Sequence, residues 1–323
     1  MHFFEKLREE GLLSDHSLQQ LSEAAADNRI SLHAEIRALL YGGILLFAAG
    51  LGIFVYSHLE QFGYFVLIGA MLLIIAGTYS FCVFTAKPFH TGEVESPNTW
   101  FDYLLLLGAI TIVTLCAYLQ QQFGFFGKHW SPASFVPMVL LFLTAYYFDH
   151  RGVLCLAVTN LAAWVGITMN RSTWYGFSLM KDGAMIQAAA LLGVFLLLLS
   201  RVVKQRHFKS HFEETYHQFG THFLLIACVA GIIQEERAWA IWLLILLAAG
   251  YYLLRKGFRE KSSYYLVVAC LYAYTGISYI VSDKLFRHLR GEDAIYANLF
   301  YYLCSGIGLA FLIYQLTQKL KTT

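Results

Sequence analysis

Hydrophobic positions in this chain come in long blocks rather than at alternating or heptad spacing. Runs free of Asp, Glu, Lys and Arg occupy residues 38–57, 64–85, 103–122, 134–148, 152–169, 184–200, 219–233, 238–254, 264–282 and 296–316, separated by short polar stretches. About 20 apolar residues in a helix cover a hydrocarbon core of roughly 30 Å, and a backbone surrounded by lipid must satisfy its own hydrogen bonds. The pattern therefore predicts an all-α, polytopic transmembrane helix bundle of about ten spans. The runs at 134–148 and 219–233 are short for a full crossing, so the expected count rests most weakly on them.

Before the first block, residues 1–35 are polar and predict a small cytoplasmic helical hairpin. Gly11 stops a first helix that starts near His2, and Ser14 caps a second. Leu18, Leu21 and Ala25 recur at helical spacing on that second helix and leave one face able to dock, on the membrane domain or on a protein partner. The division expected is thus 1–35 hairpin and 36–323 transmembrane bundle. No short apolar core with a small-residue cleavage site precedes the first block, so no removable signal peptide is expected.

Composition agrees with the blocks: 58% of the residues are hydrophobic and 14% charged, against roughly 25% charged in soluble domains. The formal charge of +2 and the scatter of basic residues through connecting loops argue against a nucleic-acid partner. Membrane lipids are the expected surroundings. With the N-terminus placed in the cytoplasm, connections on that side hold 16 of the 23 Lys and Arg residues and those on the other side hold 7. Basic residues are retained on the cytoplasmic side, so both termini are expected inside. The last outer loop, with Lys284, Arg287 and Arg290 beside Asp283, Glu292 and Asp293, runs against this trend.

Candidate chemistry is sparse. The blocks contain no Asp, Glu, Lys or Arg, which argues against a conventional proton-driven carrier, since such proteins place ionisable groups at bilayer depth. Gln120 and Gln121, at the end of the third block, and Asn160, in the fifth, are polar candidates; each side-chain amide needs a hydrogen-bonded partner if buried, a neighbouring helix or a polar ligand. Asp149, His150 and Arg151 form a tight connection between the fourth and fifth blocks. With Asp102 or loop histidines they would make an acid/base or headgroup-binding cluster, or else cap helix ends and pair with each other. His207 and His211 share a spacing of four with no further metal motif, and the six cysteines lie singly in apolar runs. No cofactor and no metal is expected. Gly42, Gly43, Gly50 and Gly52 suit close helix approach in the first span.

The segment Glu10-Gly11-Leu12-Leu13-Ser14, the glycines of the first span, the third span from Gly108 to Gln120, and Tyr146-Tyr147-Phe148-Asp149-His150-Arg151-Gly152 together resemble the domain of unknown function 2157 family of predicted bacterial membrane proteins. The resemblance covers about the first half of the chain. It implies a bacterial cytoplasmic membrane location and carries no catalytic signature or established substrate. On these grounds the expected role is non-enzymatic, as a membrane scaffold, sensor or envelope-associated component. The alternative is a transporter or flippase for a lipid-like or weakly polar molecule.

Overall fold

The computed structural model describes residues 63–127, 129–169, 183–206, 208–285 and 292–322, with isolated helical positions between 42 and 53. The chain divides into two compact units, Met1–Leu59 and Glu60–Thr323. The expected hairpin at 1–35 and most of the first span lie outside the described residues.

Among the described residues of the second unit, nine α-helices follow one another: α1 Tyr64–Thr85, α2 Thr99–Phe123, α3 Ser131–Phe148, α4 Arg151–Met169, α5 Gly183–Arg206, α6 Glu213–Gln234, α7 Trp239–Arg259, α8 Ser263–Ile280 and α9 Glu292–Thr322. Among the described residues there is no strand, and all nine helices are long and apolar enough to cross a membrane. At 1.5 Å per residue, even the 18-residue α3 reaches about 27 Å, close to the hydrocarbon thickness. The two runs that look short in sequence are ends of longer helices. Ser131–Ala133 supply a first turn to α3, with Pro132 placed where no intrahelical N–H is needed, and α6 begins at Glu213, with Thr215, Tyr216 and His217 buried ahead of its apolar run.

The outer surfaces of the helices are apolar as well. Phe84 is 90% exposed, Phe65 81% and Leu73 75%. Surface of this kind is unfavourable in water and ordinary against lipid. Inside, α6 is the hub, packed on α5 along its length and also on α7, α8 and α4. One core joins Leu105, Leu141, Leu154 and Leu196 of α2 to α5 with Phe212 and Tyr216; a second joins Leu225, Leu246, Leu253 and Val268 of α6, α7 and α8. Among the described glycines the tightest backbone contact is made by Gly193 of α5 and Gly220 of α6, whose bare Cα atoms let two backbones meet. At Gly42, Gly43, Gly50 and Gly52, where the sequence suggests such packing, no described atom lies within 4 Å of an added Cβ.

Alternating antiparallel helices place the α1–α2, α3–α4, α5–α6 and α7–α8 connections at one end of the bundle. The first three of these touch one another, as an even number of crossings between them requires.

Candidate functional site

The α3–α4 connection is only two residues long, and its geometry is fixed locally. Asp149 ends α3 in the left-handed region, φ 59°, which Asp tolerates better than most residues. His150 then starts α4: its Nδ1 accepts the Val153 N–H at 3.0 Å and its carbonyl accepts the Leu154 N–H at 3.1 Å, so an imidazole does the work usually done by Ser or Asp at a helix N-cap. A side chain at residue 152 would meet the His150 ring at 2.8 Å, which the glycine there avoids.

With Nδ1 accepting, the ring proton of neutral His150 resides on Nε2. That atom faces Asp102 Oδ1 at 3.6 Å, across a site where His150 is 5% exposed. Asp102 sits in the first turn of α2, where the helix dipole favours a carboxylate, and it accepts a hydrogen bond from Ser96. Asn98 caps the same helix by accepting the Phe101 N–H at 2.7 Å.

Asp149 gathers the other connections. Its Oδ2 accepts the Val94 N–H at 2.6 Å and lies 3.1 Å from Lys209 Nζ, while Oδ1 is 2.6 Å from His211 Nε2. The Lys209 and Asp149 side chains are 0% and 2% exposed. Lys209, itself at φ 51°, is held twice more by the 86–98 loop, its backbone N–H donating to the Thr91 carbonyl at 2.8 Å and its Nζ to the Gly92 carbonyl at 3.2 Å. The ammonium lies 4.9 Å from the centre of the Phe89 ring. Beneath it, Phe208 stacks on Tyr146, Phe212 meets Tyr146 edge-on, and the Tyr146 and Tyr216 hydroxyls are 2.9 Å apart. This aromatic floor excludes water and strengthens the charge pairing above it. Arg151 takes no part in the interior; it pairs with Glu93 at 2.8 Å on the surface.

Of the residues marked out by sequence, the structure thus brings Asp102, Asp149 and His150 into one buried cluster and leaves Arg151 on its rim. Gln120 is elsewhere, at the opposite end of the bundle, where its Nε2 donates to the Gly127 carbonyl at 2.8 Å and its Oε1 accepts the Phe126 N–H at 3.0 Å. It ties down the turn after α2, while Gln121 is exposed. Asn160 bridges α4 to α3 by donating to the Ser134 carbonyl at 2.9 Å. Sequence reading did not single out Lys209, Glu93 or Ser96, and it placed His211 with His207, which lies outside the described residues. Nothing in the spacing pairs position 149 with position 209.

Burial disfavours a charged imidazole and lowers the proton affinity of His150, against a smaller opposing pull from Asp102. A group depressed in this way contributes stability that is fully present above its unfolded pKa, about 6.5, and is lost as pH falls through its folded value, because the unfolded chain takes up the proton first. The melting temperature of the purified protein is therefore expected to fall between about pH 7.5 and pH 5.5. His150→Asn, which keeps a capping acceptor, should flatten that slope; an unchanged slope would remove His150 as its source.

The comparisons with known proteins bear on the first part of the chain. No curated protein and no solved structure matches it. Residues 5–154 match the family model described as predicted membrane protein (DUF2157), so the N-terminal stretch of this chain, through the His150 turn and the start of α4, is similar to that family.

Proposed function

We propose that the protein is a non-enzymatic membrane component, a scaffold or sensor, in which the buried charges at one bundle end clasp three connections together. The observation that supports this reading is the engagement of Asp149: its Oδ2 accepts the Val94 N–H and lies 3.1 Å from Lys209 Nζ, and the side chain is 2% exposed. A working acid or base needs a free lone pair or proton facing a space that a substrate can enter. The crevice beside Asp149, between Phe89, Ser96 and Phe148, has a volume of about 10 Å³, no more than one water molecule needs. The excess of basic residues at this end favours placing it, and both termini, in the cytoplasm of a bacterial inner membrane. In this reading residues 1–35 form the handle for a protein partner.

The experiment is complementation of a deletion strain by Asp149→Asn and His150→Gln, with folded protein in the membrane measured in parallel. If the cluster is a clasp, rescue follows the amount of folded protein. A variant present at the wild-type level with wild-type thermal stability that fails to rescue would make the cluster a working site and overturn the reading.

A second reading, movement of a lipid-like or weakly polar molecule, is favoured by one observation. An apolar groove of about 430 Å³ runs between α7, α8 and α9, in a bundle whose surroundings are lipid.

A further inference from the structure

We infer that the groove between α7, α8 and α9 binds one acyl chain of an anionic phospholipid, with the lipid phosphate at Arg255. This goes beyond the clasp and holds whether or not the protein moves lipid.

The groove has the dimensions of one leaflet. On α7 it is lined from Leu247 to Leu254, on α8 from Ala269 to Ser278 and on α9 from Tyr301 to Leu312. At 1.5 Å per residue these stretches rise by about 10, 14 and 16 Å, against roughly 15 Å for half of the hydrocarbon core. Its walls offer a chain little that is polar. Four of the hydroxyls that line it are spent on each other, Tyr274 with Ser305 at 3.0 Å and Ser278 with Tyr301 at 3.1 Å. Depth comes from Gly250 and Gly308, where no described atom lies within 4 Å of an added Cβ. Among the described helices α9 packs on α8, so the groove opens sideways rather than into the core.

One end of the groove is charged. Tyr251 lines it, and Arg255, one turn further along α7, holds its guanidinium 5.5 Å from the Tyr251 ring centre. Arg255 lies in the penultimate turn of α7, and Arg259, 72% exposed, in its last. This is the end of the bundle that carries the α7–α8 connection and most of the basic residues. An apolar slot one leaflet long with a guanidinium at its mouth matches a phospholipid, with the chain in the slot and the phosphate on the arginine. A transmembrane helix of this chain or of a second copy would fill the slot but leave the guanidinium without a phosphate.

The test uses the full-length protein released from membranes in mild detergent and examined by native mass spectrometry with phosphatidylglycerol or phosphatidylcholine added. Retention of one phosphatidylglycerol, preferred over phosphatidylcholine by about fivefold, is expected from one basic contact. Gly250→Leu with Gly308→Leu should lower retention of both lipids by about tenfold or more, since the added side chains take the chain's place. Both glycines face open space, so an unchanged melting temperature verifies that this variant is folded. Arg255→Gln should abolish the preference and leave phosphatidylcholine binding unaltered. Retention unaffected by filling the groove, or a preference that survives Arg255→Gln, overturns the proposal. So does a Gly250→Cys cross-link in native membranes to residues 38–57 or to a second copy.

Discussion

Asp149→Ala is expected to destabilise the protein by about 3–5 kcal/mol, the cost of stripping one partner from a buried ion pair. Lys209 has no exposed side-chain surface. With the carboxylate gone, its ammonium keeps the Gly92 carbonyl and the face of Phe89 but no counter-charge. The Val94 N–H loses its acceptor in the same change, which leaves a buried donor unsatisfied. Asp149→Asn keeps the shape and one acceptor oxygen and should fall between alanine and wild type. Arg151→Ala is the control. The Arg151 and Glu93 side chains are 52% and 57% exposed, and a surface pair of this kind contributes about 0–1 kcal/mol. Thermal unfolding in mild detergent, followed by circular dichroism, distinguishes the two outcomes. Equal losses for Asp149→Ala and Arg151→Ala would mean that the interior pair is no stronger than the rim.

Gly193→Leu is expected to have the other large effect. A Cβ at Gly193 would stand 2.6 Å from the Leu224 nitrogen and 2.9 Å from the Gly220 carbonyl oxygen, and one at Gly220 would stand 2.9 Å from the Gly193 oxygen and the Leu197 nitrogen. These neighbours are backbone atoms of helices and have no alternative rotamer. Inserting even one methyl must push α5 and α6 apart along the most extensive helix contact in the bundle. Overpacking a tight interior costs about 1–3 kcal/mol for a small insertion and sometimes more, so Gly193→Ala should lower the melting temperature clearly, and Gly193→Leu should deplete folded protein from the membrane. Gly306→Leu, at a position with no described atom within 4 Å of an added Cβ, should do neither. Fluorescence-detected size-exclusion chromatography of tagged variants reads both quantities.

The reasons that the bundle could be read from sequence also explain where that reading stopped. Lipid demands long apolar blocks, so the helices from α1 to α9 announce themselves by the absence of charge. The blocks locate hydrocarbon, not helix ends. Glu213 and Glu214 lie in the polar stretch ahead of the 219–233 block, yet helix α6 starts there, because Glu in a first turn is stabilised by the helix dipole and His217 packs edge-on against Tyr265 of α8. Asp102 and Lys256 likewise lie within α2 and α7 near their ends, buried despite their charge. At the cluster, Asp149, His150 and Arg151 stand out in sequence as the tightest charged connection. Their partners do not. Lys209 is one of four basic residues between positions 201 and 209, and only tertiary structure shows that it pairs with a carboxylate 60 positions earlier. Arg151, the more conspicuous cation, turned out to be the peripheral one. The glycines of the first span drew attention by their density, whereas a tight backbone contact is made by Gly193 and Gly220, each one of only two glycines in its helix.

The clasp is tested most directly by a double-mutant cycle on Asp149 and Lys209, measuring the unfolding free energy of Asp149→Ala, Lys209→Met and the combined variant in the same detergent. If the two side chains stabilise the bundle by pairing with each other out of water, the double variant is less destabilised than the sum of the singles, with a coupling of about 1–3 kcal/mol, because no orphaned charge remains. Additive losses would show that the two residues act independently and would contradict the clasp.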